Sequence, residues 1–437
     1  MRKKYLYLET YGCQMNEYDS DRIRNALNLE TTTHPEKADI VIINTCSIRQ
    51  KADQKALSSI GKFKHLKARK PEMIIGIAGC VAQLYGDKLL DRIPHLDLVL
   101  GPRSIPRLPT IISQIEKEKR RCVETSLDVQ EVFEIEPYHE EGKVTAFVSV
   151  QQGCNKKCTY CIVPYVRGNE INRPTRKILS EIGNLVIKGV KEVTLIGQTV
   201  NSWRDNGYKF SDLLRKVAEL EGLERIRFTT SYPRDVTKRM IDSMRDTRKV
   251  CRHIHLPVQS GSNKILSLMK RTYTKEWYLD TVNKLRDSIP DIAISTDIIV
   301  GFPGETEEDF ENTIKLLNEA EFNNIFSFKF SQRPGTPASE FCEKENVSET
   351  DANRRLSRVQ ELQREITFRK NQLNVGSTQE VLVEGESRSN SNWIYGRNTY
   401  NQIVHFPGSA PLKGFVAKVK ITEGLQNSLR GELLNKN

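Results

Sequence analysis

Short apolar runs alternate with amphipathic stretches over the first hundred residues of the chain. The expected elements are a strand at Tyr5–Leu8, a helix at Asp19–Leu29, a strand at Ile40–Ile43, a helix at Ala52–Leu66 and a strand at Met73–Ile77. Uninterrupted apolar strands separated by helices are typical of a parallel sheet that is covered on both faces. We therefore expect residues 1–120 to form an α/β domain with a parallel sheet.

The same alternation continues in the middle of the chain. Six further strands are expected at Ala146–Val150, Glu192–Ile196, Arg225–Thr229, His253–Pro257, Ile292–Val300 and Ile325–Phe330. Helices are expected between most of them, and one has a clear start, because Thr306 is a good capping residue and Asp309 fits an acidic first turn. Six β/α units predict a partial (β/α)6 barrel over residues 143–375, since a full eight-unit barrel usually needs about 250 residues.

The last part of the chain has a different pattern. Ser348–Leu373 predicts one long helix, and its many arginines favour a solvated bridge between domains. Beyond it, turn-rich stretches separate short β-like runs at Glu380–Val383, Ile403–Phe406, Phe415–Ile421 and Arg430–Leu434. These runs predict a small antiparallel β-barrel over residues 376–437, a shape that often binds oligonucleotides.

Length, composition and charge add limits on the number of domains, the class of protein and the kind of partner. A chain of 437 residues is too long for one ordinary core, and its 38% hydrophobic content is typical of a globular protein. No apolar run is long enough to predict a membrane span, and the first residues lack the pattern of a secretory signal. The acidic stretch 121–142 predicts a linker, while the net charge of +11 is consistent with a polyanionic partner.

Three of the nine cysteines have the spacing Cys-x-x-x-Cys-x-x-Cys, at Cys154, Cys158 and Cys161, directly after a predicted strand. Three thiolates so close in sequence suit one soft metal centre. A structural zinc site uses four ligands, and no fourth cysteine or histidine stands at zinc-finger spacing, so zinc is the weaker alternative. A 4Fe-4S cubane held by three thiolates would keep one iron open for a substrate or cofactor.

A second trio of cysteines, Cys13, Cys46 and Cys80, follows the three strands predicted in the first domain. The carboxyl ends of parallel strands meet at one edge of a sheet, so we expect these thiols to lie close together. They would make a second three-ligand site, an auxiliary 4Fe-4S site if the centre is again a cubane. The alternative is three buried cysteines in an apolar sheet, which is a common fate of free cysteine.

The Cys154–Cys161 loop, with Tyr160 before its third cysteine, resembles the cluster-binding motif of the radical S-adenosylmethionine superfamily. In that family S-adenosylmethionine chelates the open iron, and one electron from the cluster cleaves the sulfonium to give a 5′-deoxyadenosyl radical. The resemblance places the cofactor over the strand ends of the barrel. The cofactor-binding residues that it implies are Tyr160, Gln198, Ser231, Gln259, Asp297 and Ile299.

Two three-cysteine sites on one chain resemble the methylthiotransferases, and the resemblance covers nearly the whole chain, including a C-terminal segment similar to the TRAM RNA-binding domain. The phrases that carry it are Tyr11-Gly12-Cys13-Gln14-Met15-Asn16, Asn44-Thr45-Cys46-Ser47, Gly79-Cys80-Val81-Ala82-Gln83 and Cys161-Ile162-Val163-Pro164-Tyr165-Val166-Arg167-Gly168. Gln14-Met15-Asn16 looks like the branch that acts on isopentenylated adenosine in tRNA. The ribosomal-protein branch typically has Pro-Lys-Asn there, and the threonylcarbamoyladenosine branch Lys-Val-Asn. One departure is Thr199, where the family usually shows Asn.

This resemblance implies a tRNA-modifying enzyme that inserts a methylthio group at C2 of N6-isopentenyladenosine at tRNA position 37, next to the anticodon. The implied cofactors are two 4Fe-4S clusters and S-adenosylmethionine, which is both methyl donor and radical source. The implied catalytic residues are the six cysteines of the two trios. Methylthiolation of a threonylcarbamoyl adenosine or a ribosomal protein, and a non-catalytic iron–sulfur or zinc RNA-binding protein, are the alternatives.

The resemblance also implies partners. They are a tRNA anticodon stem-loop that carries isopentenyladenosine, an electron donor such as flavodoxin or ferredoxin, and an iron–sulfur or sulfur carrier protein, all in the cytoplasm and none at a membrane. Candidate RNA contacts are the basic run Lys62, Lys64, Lys67, Arg69 and Lys70, and the barrel residues Arg388, Trp393, Tyr395, Arg397 and Tyr400. A solvated helix face and an ordinary small β domain explain the two sets equally well.

Overall fold

The computed structural model describes residues 3–47, 57–129, 132–387 and 392–434, with the side chains of residues 342–345 also outside the description. The chain forms two compact units. The first comprises residues 1–140, 151–156 and 162–173, and the second comprises residues 141–150, 157–161 and 174–437. The predicted domain boundaries and the predicted linker 121–142 stay predictions. Among the described residues, no helix is both long enough and apolar enough to cross a membrane.

The first unit contains a six-stranded parallel sheet. Its strands are β1 (Tyr5–Tyr11), β2 (Glu30–Thr31), β3 (Ile40–Thr45), β4 (Ile74–Gly79), β5 (Leu98–Leu100) and β6 (Cys122–Glu124). Their order is β2-β1-β3-β4-β5-β6, and every pair is parallel. The predicted parallel sheet is confirmed, and its central strands β3 and β4 are buried along their whole length.

Helices cover both faces of this sheet, as the apolar pattern of the strands requires. They are α1 (Gln14–Leu27), α2 (Lys64–Arg69), α3 (Cys80–Tyr85), α4 (Lys88–Arg92), α5 (Leu108–Glu118) and α6 (Val163–Arg167). Residues 57–61 are also helical, and the first five residues of the predicted helix Ala52–Leu66 lie outside the described residues. One apolar core contains Val41 and Ile75, and another on the other side contains Ile42 and Ile74.

The second unit begins with six parallel strands in two groups of three. The strands are β7 (Thr145–Ser149), β10 (Glu192–Ile196), β13 (Arg225–Phe228), β14 (His253–His255), β15 (Ala293–Val300) and β16 (Asn324–Lys329). The orders β13-β10-β7 and β14-β15-β16 follow the chain, which confirms the predicted partial barrel. Short antiparallel pairs join β8 (Gln151–Gln152) to β9 (Ile171–Asn172) in the first unit and β11 (Arg204–Asp205) to β12 (Tyr208–Lys209) in the second.

Helices follow the barrel strands. They are α7 (Thr175–Ile187), α8 (Phe210–Ala218), α9 (Lys238–Asp246), α10 (Asn263–Leu268), α11 (Lys275–Ser288), α12 (Glu307–Ala320), α13 (Pro337–Glu345) and α14 (Glu349–Gln372). All of them except α13 share one large apolar core with the strands, whereas Ala338 of α13 packs in a smaller group with Phe302. The predicted start of α12 is confirmed, because Thr306 and Asp309 form a reciprocal capping box. The long helix α14 has a solvated face, but Val359 and Ile366 on its other face are fully buried.

A closed five-stranded barrel ends the chain. Its strands are β17 (Thr378–Glu386), β18 (Trp393–Asn398), β19 (Ile403–Pro407), β20 (Val416–Gly424) and β21 (Leu429–Leu433), in the order β17-β18-β19-β21-β20. The predicted small barrel is confirmed, with one difference. β19 and β21 pair in parallel, whereas all other pairs are antiparallel.

Candidate metal centres

The carboxyl ends of β1, β3 and β4 lie side by side, because these strands are neighbours in the sheet. The register pairs Tyr11 with Thr45 and Thr45 with Gly79, so the three strands end level with one another. One cysteine follows each strand end, at Cys13, Cys46 and Cys80. The structure therefore brings the first predicted trio to one edge of the first unit's sheet.

Local structure at each strand end places the thiols. Cys13 is the N-cap residue of α1 and is half-buried. Cys46 follows β3 directly, and Cys80 is the first residue of α3, and both are 2% exposed. Tight turns from strand to helix thus hold all three side chains at the edge where parallel sheets usually bind ligands.

Two glycines allow the cysteine loops to approach closely. A Cβ atom on Gly12 would lie 2.7 Å from the Cβ atom of Cys46, which is too short for a real contact. Gly79 has a φ of +90°, and a Cβ atom there would lie 2.5 Å from Oδ1 of Asn44. A larger residue at either position would separate the strand ends that carry the thiols.

A pair of buried amides joins two of these loops. Asn16 Nδ2 donates to the Thr45 carbonyl oxygen at 2.9 Å, and Asn44 Nδ2 donates back to the Asn16 carbonyl oxygen at 2.8 Å. The Oδ1 atom of Asn16 lies 3.3 Å from Sγ of Cys13 and accepts from it. Both asparagines are fully buried, so these hydrogen bonds fix the first cysteine loop against the second.

The thiols of this trio are in unlike electrostatic surroundings. A hydrogen bond from Cys46 and the positive charge of Arg167 lower the pKa of Cys13 to about 6, against the effect of burial. Burial raises the pKa of Cys80, although the Arg167 charge opposes it. Cys13 is therefore the thiol of this pair that ionises first as the pH rises.

Arg167 belongs to a buried ion network beside the trio. Its Nη2 atom donates to Oδ2 of Asp19 at 2.8 Å, and Arg22 Nη1 lies 3.4 Å from the other oxygen of the same carboxylate. All three side chains are at most 3% exposed. Nearby charges, Asp19 foremost among them, raise the pKa of Arg167 and keep it cationic.

The second predicted trio begins in the first unit with Cys154. Its backbone N–H donates to the Gly168 carbonyl oxygen at 3.1 Å, and its Sγ atom accepts from the backbone N–H of Lys156 at 3.4 Å. Gly153 has a φ of +82° and lies so close to Gly168 that a Cβ atom would clash with the carbonyl oxygen at 2.5 Å. The turn before Cys154 therefore requires glycine.

Cys158 and Cys161 belong to the second unit, where Thr159 anchors the loop between them. Thr159 Oγ1 donates to the Leu268 carbonyl oxygen at 2.8 Å, and Cys161 N donates to the Cys158 carbonyl oxygen at 3.1 Å. These bonds tie the loop to α10. That Cys154, Cys158 and Cys161 share one centre stays a prediction from their spacing.

A buried arginine contacts Cys158 in the second unit. Arg271 Nη1 lies 3.3 Å from the Cys158 sulfur, Nη2 donates to the Pro257 carbonyl oxygen at 2.9 Å, and Nε donates to the Tyr273 hydroxyl at 2.7 Å. The guanidinium also lies over the rings of Tyr232 and Tyr273, at 4.6 and 5.1 Å from their centroids. Each guanidinium nitrogen thus has a partner, and one of those partners is a predicted ligand.

Three of the residues predicted to bind cofactor follow barrel strands. Gln198 follows β10 and is half-buried, and Ser231 follows β13 and is 2% exposed. In the part of the chain that the structure describes, the buried Ser231 hydroxyl has no hydrogen-bond partner, so it is a group that a ligand could satisfy. Gln259 has a φ of +80°, and its backbone pairs with Ile298 of β15 as an isolated bridge.

The other predicted cofactor contacts lie on β15 and on the cysteine loop. Asp297 and Ile299 point to the same side of the strand and are half-buried, whereas Ile298 between them is fully buried. An Asp297 carboxylate oxygen lies 3.4 Å from Nε2 of His255. Tyr160 is also half-buried and packs against the apolar group that contains Phe302. Their roles in binding stay predictions.

Comparison with known families matches three segments of the chain. The radical SAM superfamily matches residues 148–317, the family described as "Uncharacterized protein family UPF0004" matches residues 5–101, and the TRAM domain matches residues 372–434. The second of these matches contains Cys13, Cys46 and Cys80, and the first contains Cys154 to Cys161.

Curated relatives extend over almost the whole chain. A protein of Syntrophus aciditrophicus named tRNA-2-methylthio-N(6)-dimethylallyladenosine synthase is 46% identical, with 99% of this chain and 95% of the relative covered. Proteins with the same name from Geobacter sulfurreducens and Cronobacter sakazakii are 46% and 44% identical, each over 99% of this chain and over 98% and 92% of the relative. The chain belongs to this family of radical S-adenosylmethionine tRNA methylthiotransferases.

Solved structures of other radical enzymes have a similar fold at low sequence identity. The radical S-adenosylmethionine methyltransferase TsrM of Kitasatospora setae matches with a TM-score of 0.58 at 14% identity, over 77% of this chain and 75% of that one. The cobalamin-dependent radical enzyme OxsB matches with a TM-score of 0.52 at 12% identity, over 79% of this chain and 57% of that one. Identities this low show the fold alone.

The residues at the strand ends of this methylthiotransferase fit a three-thiolate iron–sulfur cluster. Within the described residues, no three His, Cys, Asp or Glu side chains are close enough to bind one metal ion together. In a cluster each thiolate binds a different iron, so a wider spacing is suitable. Among the described residues, which exclude 48–56, the buried Ser47 hydroxyl and Nη1 of Arg167 have no hydrogen-bond partner of normal geometry. Both are donors of the kind that cluster sulfurs accept from.

The predicted RNA contacts have mixed placements. Lys67 and Lys70 form half-buried ion pairs with Asp97 and Asp39, at 2.7 and 2.6 Å. Tyr400 donates its hydroxyl to Asp291 at 2.7 Å within the second unit. Arg388 lies outside the described residues. The basic run is therefore partly structural, and RNA contact by the remaining residues of both sets stays a prediction.

Sequence reasoning missed Arg167 and Arg271, the arginines beside the two cysteine sets. Arg167 stands six residues after Cys161, and Arg271 follows α10 in a stretch with no motif. Nothing in the local sequence of Arg271 distinguishes it from an exposed arginine. A usable signal for Arg167 was its position inside the Cys161–Gly168 phrase that carries the family resemblance.

Proposed function

We propose that the protein inserts a methylthio group at C2 of N6-isopentenyladenosine at tRNA position 37, next to the anticodon. The observation that carries the proposal is the level alignment of Cys13, Cys46 and Cys80 at three adjacent strand ends. The relatives' names support the substrate, since they identify dimethylallyladenosine in tRNA. The second trio, Cys154, Cys158 and Cys161, supports radical chemistry on the same chain.

The residues proposed to hold the cofactors divide by role. Cys13, Cys46 and Cys80 would hold an auxiliary 4Fe-4S cluster, and Cys154, Cys158 and Cys161 would hold the radical cluster. Bound together with S-adenosylmethionine, these groups supply abstraction of the C2 hydrogen and transfer of a methylated sulfur. A radical is required because the C2–H bond of adenine is too weakly acidic for a side-chain base.

The chain's own residues would bind and orient the cofactor. The half-buried side chains of Asp297 and Ile299 point to the same side of β15, and the unpartnered Ser231 hydroxyl offers one hydrogen bond. Gln198, Gln259 and Tyr160 complete the proposed set. A bound cofactor that covers these groups would exclude water from the reaction, which protects a radical from side reactions.

The partners belong to the proposal as well. The terminal barrel matches the TRAM domain, which supports binding of the tRNA anticodon stem-loop. The radical cluster needs one electron per cleavage, so an electron donor such as flavodoxin or ferredoxin is required. The inserted sulfur requires an iron–sulfur or sulfur carrier protein. These needs, together with the tRNA substrate, support a cytoplasmic location.

The test compares one cysteine from each trio. Protein reconstituted without oxygen is given S-adenosylmethionine, a reductant and tRNA that carries isopentenyladenosine. Cys154→Ala should abolish formation of 5′-deoxyadenosine. Cys13→Ala should retain cofactor cleavage but form no methylthio nucleoside. The products are measured by mass analysis of tRNA nucleosides.

Three outcomes would contradict the proposal. Full sulfur transfer by Cys13→Ala would remove the first trio from the reaction. Iron binding without any 5′-deoxyadenosine would favour a non-catalytic RNA-binding protein. Methylthiolation of threonylcarbamoyl adenosine or of a ribosomal protein, with no reaction on isopentenyladenosine, would assign the protein to another branch.

A further inference from the structure

One guanidinium beside the first cysteine trio has a donor without a regular hydrogen bond. Arg167 is 3% exposed, and among the described residues its buried Nη1 atom has no hydrogen-bond partner of normal geometry, although the guanidinium is near enough to the Cys80 thiol to oppose the rise in that thiol's pKa. Its other terminal nitrogen, Nη2, is bound to Asp19 at 2.8 Å. An unpartnered charged donor in a protein interior is costly unless a ligand satisfies it.

The position of Arg167 directs this donor toward the thiols. Ile162 and Val166, on the same short helical segment, pack with Cys80 in one buried apolar group. Asp19, the residue that holds Arg167, lies on α1, whose N-cap residue is Cys13. The guanidinium is therefore close enough to two of the three predicted ligands for its charge to act on both.

The buried charges around Arg167 do not balance without the thiols. Arg22 and Arg167 carry two positive charges, and both contact the single carboxylate of Asp19. The Nη2 and Nε atoms of Arg22 donate hydrogen bonds to the carbonyl oxygens of Val132 and Ile135. Within this group of three buried side chains, two positive charges thus share one negative charge. Anionic sulfur at the strand ends would compensate the second positive charge.

We propose that Arg167 is a positioning residue that donates a hydrogen bond from Nη1 to sulfur of the auxiliary cluster and offsets its negative charge. The proposal rests on the proposed function, because it assumes that Cys13, Cys46 and Cys80 hold that cluster. A fixed positive charge stabilises the reduced, more negative state of a cluster. Arg167 should therefore raise the equilibrium constant for one-electron reduction of the auxiliary cluster.

The experiment isolates the auxiliary cluster from the radical cluster. In full-length protein with Cys154, Cys158 and Cys161 replaced by alanine, only the first trio can hold iron. Arg167→Met, Arg167→Lys and the matched control Arg173→Met are prepared in this background. Arg173 is 1% exposed in the same segment, and its guanidinium lies over the Phe133 ring, so its loss tests for general damage. Iron and sulfide content, circular dichroism and a redox titration followed by electron paramagnetic resonance are measured.

We expect Arg167→Met to lower the reduction equilibrium constant of the cluster at least tenfold, which is about 59 mV for one electron. Arg167→Lys keeps the positive charge but loses the planar set of N–H donors. Its reduction equilibrium constant should therefore lie between those of Arg167→Met and the background protein. Arg173→Met should leave the constant within about twofold of the background protein.

Two results would overturn the proposal. One is a fully iron-loaded Arg167→Met protein with an unchanged reduction constant. The other is equal loss of iron from Arg167→Met, Arg167→Lys and Arg173→Met, which would give Arg167 a purely structural role. If the background protein, which keeps Arg167, binds no cluster at the first trio, the proposed function is wrong. This result differs from the two results above, which concern only Arg167.

Discussion

Arg271 and Cys158 are in direct contact in the second unit, with Nη1 of the guanidinium 3.3 Å from the sulfur. The same side chain binds the Pro257 carbonyl oxygen and the Tyr273 hydroxyl and lies over two aromatic rings. It is therefore held in place by groups other than the thiol. A hydrogen bond and a positive charge at a thiolate ligand draw electron density from the metal and stabilise the reduced cluster.

Replacement of Arg271 should weaken reductive cleavage of S-adenosylmethionine. We expect Arg271→Met to lower the rate of 5′-deoxyadenosine formation at least tenfold, because both the charge and the hydrogen bond to Cys158 are lost. Arg271→Lys should fall between this variant and the native protein. Arg234→Met is the matched control, since Arg234 lies over the Trp277 ring, 4.8 Å from its centroid, and lines the same pocket as Arg271. Native rates in Arg271→Met with full iron content would contradict this role.

The glycine at the end of β4 should be essential for the first cysteine trio. Gly79→Ala introduces a Cβ atom 2.5 Å from Asn44 Oδ1 at a φ of +90°, so both a clash and backbone strain oppose it. We expect a loss of about 2–4 kcal/mol in the free energy of unfolding and reduced iron at Cys13, Cys46 and Cys80. The measurements are urea unfolding of the apoprotein and iron content after reconstitution.

Gly86 provides the control for backbone strain alone. It has a φ of +49°, and a Cβ atom there would have no neighbour within 4 Å. Gly86→Ala should lose only about 1 kcal/mol and keep normal iron content. Equal effects of the two substitutions would show that the close contact at Gly79 has no special importance.

Asp309 should stabilise the second unit at neutral pH, and this contribution to the free energy of unfolding should be lost at acid pH. Burial alone would raise the pKa of Asp309, but hydrogen bonds from Ser262 and Thr306 outweigh this and lower it from 3.8 to about 2. A lowered carboxyl pKa adds stability above the unfolded value, and that stability is lost as the pH falls through the folded value. The contribution is about 2 kcal/mol at pH 7 and about half of that at pH 3.

The Asp309 prediction is checked by urea unfolding at several pH values. Asp309→Asn should be less stable than the native protein by an equal amount at pH 7 and pH 5, and the difference should shrink near pH 3. Asp280→Asn is the control, because Asp280 forms only an exposed pair with Lys284 on α11. A difference that stays constant down to pH 3 would exclude ionisation of Asp309 as its cause.

The buried ion pair between α14 and the turn after β15 should matter more than its exposed neighbour. Arg355 Nη1 lies 2.7 Å from Glu305 Oε2, which also accepts from the Gly301 backbone N–H at 2.7 Å. Arg355→Met leaves a buried carboxylate without its partner, at a cost of about 3–5 kcal/mol. Arg358→Met removes an exposed pair with Glu311 and should cost about 1 kcal/mol or less. Thermal unfolding of the two variants measures the difference, and similar midpoints would contradict it.

The sequence pattern predicted a strand correctly where one apolar run formed one complete strand. It predicted β1, β3 and β4 and therefore the level positions of Cys13, Cys46 and Cys80. It missed β5 and β6, because strands of three residues are too short to show a period. Cys122–Glu124, inside the predicted acidic linker, forms β6, since pairing with β5 outweighs its local composition.

Long-range pairing explains the other differences. β18 has the mixed sequence Trp393 to Asn398, and only closure of the terminal barrel makes it a strand. The same closure joins β19 to β21 in parallel, which no hairpin pattern could indicate. The surroundings of Arg167 and Arg271 depend on tertiary burial, and only Arg167 lies in a sequence phrase that carries the family resemblance.

The reciprocal amide bridge of Asn16 and Asn44 has a consequence for maturation. Protein groups alone hold the first two cysteine loops in register, so their geometry is a property of the folded polypeptide. Iron and sulfide can then be inserted after the chain has folded, because the loops that bind them are already in place. In Asn16→Ala the two loops would be ordered only when the metal binds. Cluster assembly would therefore slow, while catalysis by the assembled enzyme would change less.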